Sequence, residues 1–172
     1  FAMNTRFETL PAEVIHSSKR AILDCLGVTL VGTLEPASQI VQSFVAAEGC
    51  SPEAHIFGTQ QRSSPARAAF ANGVAGHVLD FDDVSWTYMS HPTVAILGAV
   101  LAVGEKVGAS GKDVLTAFAV GFETECRIGK DSMPLVPTGF HPTVVVGSLG
   151  AAVAAGKLLG LSEDQMLCAL GI

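Results

Sequence analysis

The chain has 172 residues, and 10 Lys plus Arg against 16 Asp plus Glu give it a formal charge of −6. That length suits one domain or a piece of one, and the acidic balance, with a pI near 5.2, excludes the electrostatic footprint that nucleic acid or an anionic membrane requires. Only 15% of residues are charged while 49% are hydrophobic, a composition of helices buried on more than one face whose remaining apolar surface expects a partner.

In chain order the dominant period is helical. Pro11 stands at a first helical position, and Val14, Ile15, Ala21, Ile22, Cys25, Leu26 and Val28 make one apolar face running toward Gly32. A second helix starts at Pro36 and ends near Gly49, and residues 54–57, before Gly58, form the one short extended segment. Helices are then predicted over 64–77, 92–107, 112–128, 142–159 and from Glu163 onward, the last opened by the capping box Ser162-Glu163-Asp164-Gln165. The predicted class is all-α, a bundle of about seven helices. Two long uncharged stretches, 84–104 and 132–156, are interrupted by prolines and polar residues. Their apolar cores fall short of the roughly 18 to 20 residues a bilayer requires, so no membrane partner is expected.

The four cysteines, Cys25, Cys50, Cys126 and Cys168, match no zinc or thioredoxin spacing, and no secretory leader pattern opens the sequence. A reducing, cytoplasmic compartment is therefore expected. Phe1-Ala2 precede a plausible native start at Met3. Met166, Leu167, Leu170 and Ile172 are still apolar where the last helix stops, so the chain is expected to be the N-terminal piece of a longer polypeptide.

An internal repeat carries the chemistry. His91-Pro92-Thr93-Val94 recurs as His141-Pro142-Thr143-Val144, 50 positions later, each copy leading a Gly- and Ala-rich apolar helix, a Gly-containing turn and another helix. The small residues weaken intrinsic helix propensity but let backbones approach closely. A His followed by Pro at the first helical position puts each imidazole at a helix N-terminus. Unpaired N–H groups and the positive dipole end attract carboxylates there and disfavour the imidazolium. Two neutral imidazoles in that setting suit proton transfer beside a carboxylate-bearing substrate; the plainer alternative is that both merely cap their helices.

The repetition, together with Asp80-Phe81-Asp82-Asp83 just upstream, favours the catalytic reading. Three carboxylates in four positions repel one another unless they bind a cation, cap a helix or hold protons, and the flanking Val78, Leu79, Phe81, Val84 and Trp86 predict partial burial. His77, Asp80, Asp82, Asp83 and His91 all have ligating side chains, yet their spacing matches no known metal loop, so a metal-free acid/base site is predicted ahead of a metal centre. A terpene cyclase would need an aromatic cavity around its carbocation, and one Trp and 6% aromatics argue against it. An isoprenoid diphosphate synthase would place a further acid where Trp86 stands.

The linked elements Gly76-His77-Val78-Leu79-Asp80-Phe81-Asp82-Asp83, Ser90-His91-Pro92-Thr93, Gly139-Phe140-His141-Pro142-Thr143 and Gly156-Lys157-Leu158-Leu159-Gly160-Leu161 resemble the MmgE/PrpD family. The resemblance runs from about Pro11 to the last residue. It implies a two-domain protein in which a large helical domain supplies the first half of the site and a smaller α+β lid follows later in the chain. It also implies a lyase or isomerase that works without metal or organic cofactor on a small di- or tricarboxylic acid. The family includes 2-methylcitrate dehydratases, cis-aconitate decarboxylases and an iminodisuccinate epimerase, and dehydration of 2-methylcitrate, a step of propionate catabolism, is placed first here. The family's site aspartate falls on Asp80 and its two site histidines on His91 and His141. Val84, at a position that varies among members, cannot donate a hydrogen bond. The family's further basic residues, including a lysine for substrate carboxylates, lie beyond Ile172.

The residues themselves point to the same gap. Between Asp83 and Glu105 there is no Lys or Arg, and the candidates to supply the charge, Arg127 and Lys130, belong to another helix. The 172-residue chain alone is therefore expected to be inactive. His91 and His141 are assigned as the acid/base pair and Asp80 as the group that orients or tunes them. His77 is expected to pack on its own helix, with His16 and His55 on the surface. The oily composition predicts a homodimer through the helical domain. A reading of a different class is a non-catalytic helical assembly or binding module that holds a partner with the acidic loop.

Overall fold

The computed structural model describes residues 1–131 and 133–171, with the backbone alone for 133–135. Ile172, assigned above to the last apolar face, lies outside them. Among the described residues seven α-helices carry the fold: α1 (Ala12–Gly32), α2 (Pro36–Glu48), α3 (Pro65–His77), α4 (Pro92–Val107), α5 (Gly111–Gly129), α6 (Pro142–Leu158) and α7 (Glu163–Gly171). The class is all-α, as the periodicity predicts. Residues 54–57 are not a lone extended segment: Ala54–His55 (β1) pairs antiparallel with Arg62–Ser63 (β2). Two-residue strands are too short to show a period of two, which is why the second was invisible in the sequence.

Local chemistry explains the boundaries. α2, α3, α4 and α6 all open on proline at the first helical position, where its missing N–H costs nothing. α2 and α4 stop at Gly49 and Gly108, both left-handed. The capping box before α7 forms as read, with the Ser162 N–H donating to Gln165 Oε1 at 2.9 Å and the Gln165 N–H to Ser162 Oγ at 3.3 Å.

α4 is the central element. Its Val94, Ile96, Leu97 and Val100 pack with Cys25 of α1, Ala117 and Phe118 of α5 and Ala154 of α6, each large side chain contributing about 1.5 to 3 kcal/mol by leaving water. A Cβ on Gly121 would sit 2.8 Å from the Gly150 carbonyl oxygen, and one on Gly150 would sit 2.9 Å from that of Gly121, so α5 and α6 cross backbone to backbone. A Cβ on Gly147 would sit 2.5 Å from the Cβ of Ala95, so α6 also lacks a side chain where it meets α4. These contacts run α4 and α6 parallel, with α5 against both in the opposite sense. The N-termini of α4 and α6 and the C-terminus of α5 therefore share one end of the bundle.

On the outside, Leu23, Leu34 and Ile40 of the α1–α2 corner, where the two helices meet at 87°, are exposed. No single helix among the described residues is long and apolar enough to cross a membrane. Replacing Gly121 with alanine is expected to force α5 from α6 and lower stability by about 1 to 3 kcal/mol. Urea unfolding measures it, and an unchanged midpoint would refute the backbone contact.

Candidate active site

The acidic run follows α3 directly, and one turn sends its three carboxylates apart. The Asp80 N–H donates to the His77 carbonyl at 2.9 Å, and Asp80 takes a left-handed φ of 51°, a conformation that aspartate tolerates better than most residues. Its side chain is 81% exposed, with Oδ1 3.4 Å from His91 Nε2. Asp82 points inward and its side chain is fully buried. Both its carboxylate oxygens lie 3.1 Å from His77 Nδ1, and Oδ1 lies 3.4 Å from His91 Nδ1.

Asp83 turns to α4, accepting the Thr93 N–H at 3.1 Å and the Thr93 hydroxyl at 2.5 Å. It is the side-chain cap of that helix. Burial raises its pKa, and the two Thr93 bonds oppose the rise. The run is partly buried as expected, Asp82 fully and Asp83 by half, although not through all of its apolar flanks: Phe81 is 79% and Trp86 81% exposed. The turn at Asp80 aims Phe81 outward, and the buried member of the run is Asp82.

His91 and His141 are the N-cap residues of α4 and α6, yet neither side chain makes a cap bond. Asp83 does that work for α4, leaving the His91 ring between Asp80 and Asp82. The first turn of α4 is thus already occupied by a carboxylate, so of the two helix ends expected to attract substrate it is not an open one. The two His-Pro-Thr repeats interlock, the His91 N–H donating to Thr143 Oγ1 at 2.9 Å. His77, expected to pack on its own helix, instead joins the cluster, because the turn at Asp80 folds Asp82 back beneath it. Its ring centroid lies 4.8 Å from that of His91 and 6.0 Å from that of His141, the latter nearly parallel at 26°. The structure therefore brings Asp80, His91 and His141 to one place and adds His77 and Asp82. His141 and Asp80 are exposed and His91 is half-buried. His16 and His55 lie on the surface, His55 beside Glu105.

His77, Asp80, Asp82 and His91 each present a ligating atom, all within 4.8 Å of one another. Two imidazoles and two carboxylates suit a borderline divalent cation, although His91 faces Asp80 and Asp82 through different ring nitrogens and can offer an ion only one of them. Among the described residues no Lys or Arg forms an ion pair with the cluster. Arg127 is held by Glu123 at 2.6 Å and lies over the Phe1 ring.

Below the cluster lies a group that sequence reasoning missed. Glu125 of α5 is completely buried. Its position had a signal, since it falls on the helical face shared by Phe118, Phe122 and Gly129. Burial pushes its pKa up to about 9, with the Asp83 charge adding and the Tyr88 hydroxyl opposing, so the side chain is neutral near pH 7. The folded protein thus keeps a proton that the unfolded chain releases above about 4.5. Stability must fall as pH rises from about 4.5 to about 9, by about 1.4 kcal/mol per pH unit at the steepest.

Glu125→Gln cannot ionise and is expected to lose this fall, melting above the wild type near pH 8. Parallel melts from acid to alkaline pH check it, and identical pH dependence would refute the buried neutral acid. Asp83→Ala is expected to cost about 0.5 to 2 kcal/mol through the lost cap, and Asp80→Asn, which removes the charge at an exposed position and keeps a side chain that tolerates the left-handed backbone, less than about 0.5 kcal/mol. Urea midpoints compare the two, and equal values would remove the distinction.

The family model for the MmgE/PrpD N-terminal domain matches residues 1–172. The chain is 39% identical to the cis-aconitate decarboxylase of Homo sapiens, over 95% of this chain and 35% of that protein. It is 34% identical to the cis-aconitate decarboxylase of Aspergillus terreus, over 100% of this chain and 36% of that one. A 2-methylcitrate dehydratase of Cupriavidus necator is 29% identical over 98% of this chain and 37% of its own length. The chain spans about a third of the length of these relatives. Matched along its whole length by the family's N-terminal domain, with relatives that are lyases, the chain belongs to the MmgE/PrpD family.

Proposed function

We propose that the full-length protein is a lyase that acts on a small tricarboxylic acid by proton transfer between histidines and a carbon next to a carboxylate. Decarboxylation of cis-aconitate is the first reading and dehydration of 2-methylcitrate the second. The observation that carries the acid/base reading is the position of His91, with Asp80 at one ring nitrogen, Asp82 at the other, and His77 beside it, which in turn stacks with His141. The family resemblance alone puts dehydration first; the order changes because relatives at 34% and 39% identity are named decarboxylases, while the dehydratase stands at 29%.

A carboxylate beside an imidazole fixes the ring's orientation and stabilises the charged form once it takes a proton. Asp82, buried and touching both His77 and His91, has that position, and Asp80 holds the opposite edge of His91. His91 and His141 are the acid/base pair. In decarboxylation the carbon–carbon bond to one carboxylate breaks and carbon dioxide leaves. The electron pair moves into the adjoining unsaturated system, and a carbon there takes a proton from an imidazolium. In dehydration a histidine removes a proton from carbon while the other protonates the departing hydroxyl, so that water leaves and a double bond forms. Neither sequence of steps calls on a cofactor. The positive charges that hold the substrate's carboxylates are supplied by other parts of the full-length protein. Assembly as a homodimer in the cytoplasm is part of the same proposal, supported by the exposed apolar α1–α2 corner and by four unpaired cysteines.

The test is turnover of cis-aconitate and of 2-methylcitrate by the full-length protein, with products identified by NMR. Faster turnover of cis-aconitate is expected, and none by the 172-residue chain alone. His91→Ala and His141→Ala should each lower kcat by about 10² to 10⁴, and losses below tenfold in both would sink the assignment. Dialysis against a chelator should leave kcat unchanged. A loss restored by a divalent cation would instead favour a metal on the His77, Asp80, Asp82 and His91 cluster.

A further inference from the structure

We propose that Glu125, Tyr88 and Ser90 form a buried positioning unit that holds the loop 84–90 against the bundle and thereby fixes His91. The kinetic part of this inference rests on the role given to His91 above. The structural part does not.

The unit is defined by burial. Glu125 and Tyr88 are 0% exposed and Ser90 1%. Both Glu125 carboxyl oxygens, the Tyr88 hydroxyl and the Ser90 hydroxyl complete no well-formed hydrogen bond, although the Tyr88 hydroxyl is near enough to the other two groups to interact with each. Buried polar atoms without partners are costly, and nothing in packing requires them here, since an apolar side chain at position 125 would fill the same volume. A neutral carboxyl, a phenol and a hydroxyl each carry one donor and spare acceptor capacity. Small rotations let the three serve one another. The groups that bear on Glu125 and Tyr88 are Asp83, Cys126, Ser90 and each other, and none is cationic, so the Glu125 anion has the Tyr88 hydroxyl as its one favourable partner among them and no opposite charge.

The backbone is shaped around the trio. A Cβ on Gly129 would meet the Tyr88 ring at 2.4 Å, so α5 lacks a side chain where that ring is seated. A Cβ on Gly150 would lie 3.1 Å from Glu125 Oε2, so α6 leaves room for the carboxyl.

The loop in turn depends on the trio. Its backbone closes through Ser85 and Ser90, whose N–H groups donate to each other's carbonyls at 2.8 and 3.3 Å. Trp86 is 81% exposed and gives no anchorage. Met89 has a left-handed φ of 52°, a strained backbone that persists only where its surroundings impose it. The residues on either side of it are Tyr88 and Ser90. His91 follows immediately, its N–H fixed on Thr143. Strain at Met89 is thus clamped between two members of the unit, two residues before His91.

The test uses the full-length protein and four variants: Tyr88→Phe, which keeps the ring on Gly129, Ser90→Ala, Glu125→Gln and Glu125→Leu. Amide hydrogen exchange at Ser85, Ser90 and His91 is read together with kcat and KM. Tyr88→Phe and Glu125→Leu are expected to speed exchange at these amides by about tenfold and to lower kcat by a similar factor, with KM changed by less than about twofold. Ser90→Ala should move both in the same direction. Glu125→Gln keeps a donor and an acceptor and should stay near the wild type. Unchanged exchange in Tyr88→Phe and Glu125→Leu would overturn the proposal, and so would a Glu125→Gln variant as impaired as Glu125→Leu. If Glu125→Leu fails to fold, Tyr88→Phe and Ser90→Ala decide alone. If no tricarboxylate is turned over, the proposed lyase activity fails, and the exchange measurement still settles the positioning unit.

Discussion

The hydrogen bond from the His91 N–H to Thr143 Oγ1 joins the two His-Pro-Thr repeats, and the rest of the site depends on the approach that permits it. Helices that pack through ordinary side chains keep their axes about 8 to 10 Å apart. Here Gly147 faces Ala95, and Gly121 faces Gly150. Each missing side chain removes a spacer, so α4, α5 and α6 close together and the starts of α4 and α6 become neighbours. The Gly- and Ala-rich composition of these helices, unfavourable for an isolated helix, is what brings two distant histidines into one cluster.

The acidic run shows how repulsion within a short sequence is relieved by geometry. Three aspartates in four positions would raise one another's proton affinity if they faced one space. Asp80 remains in solvent, Asp82 lies against two imidazoles, and Asp83 meets the positive end of α4. Each carboxylate has a different stabilising environment, and only Asp80 is reached freely by water.

Much of this was legible in advance. Prolines at the starts of α2, α3, α4 and α6, capping boxes before α5 and α7, and the helical period make these helices readable, because those signals are local and act through the backbone itself. Asp80, His91 and His141 were legible through repetition and family resemblance. His77 and Asp82 were legible only as possible ligands, and their meeting was not, because it depends on the reversal at Asp80, and periodicity does not encode a left-handed residue in a non-glycine turn. Glu125 was missed for a different reason. An acid on an amphipathic helix is ordinarily assigned to the solvent side, yet this one shares the face of Phe118 and Phe122, a position that only the fit of α6 against α5 fills. The strand Arg62–Ser63 was unreadable because two residues carry no pattern.

The Asp83 cap makes the two repeats unequal. They match in sequence, but the α4 copy is sealed by a carboxylate and holds a half-buried imidazole, while the α6 copy has no side-chain cap and an exposed one. One ring is held between two aspartates and the other rests on His77. A motif duplicated along the chain is thus no duplicate in space, because its surroundings and not its own residues decide how each copy is held.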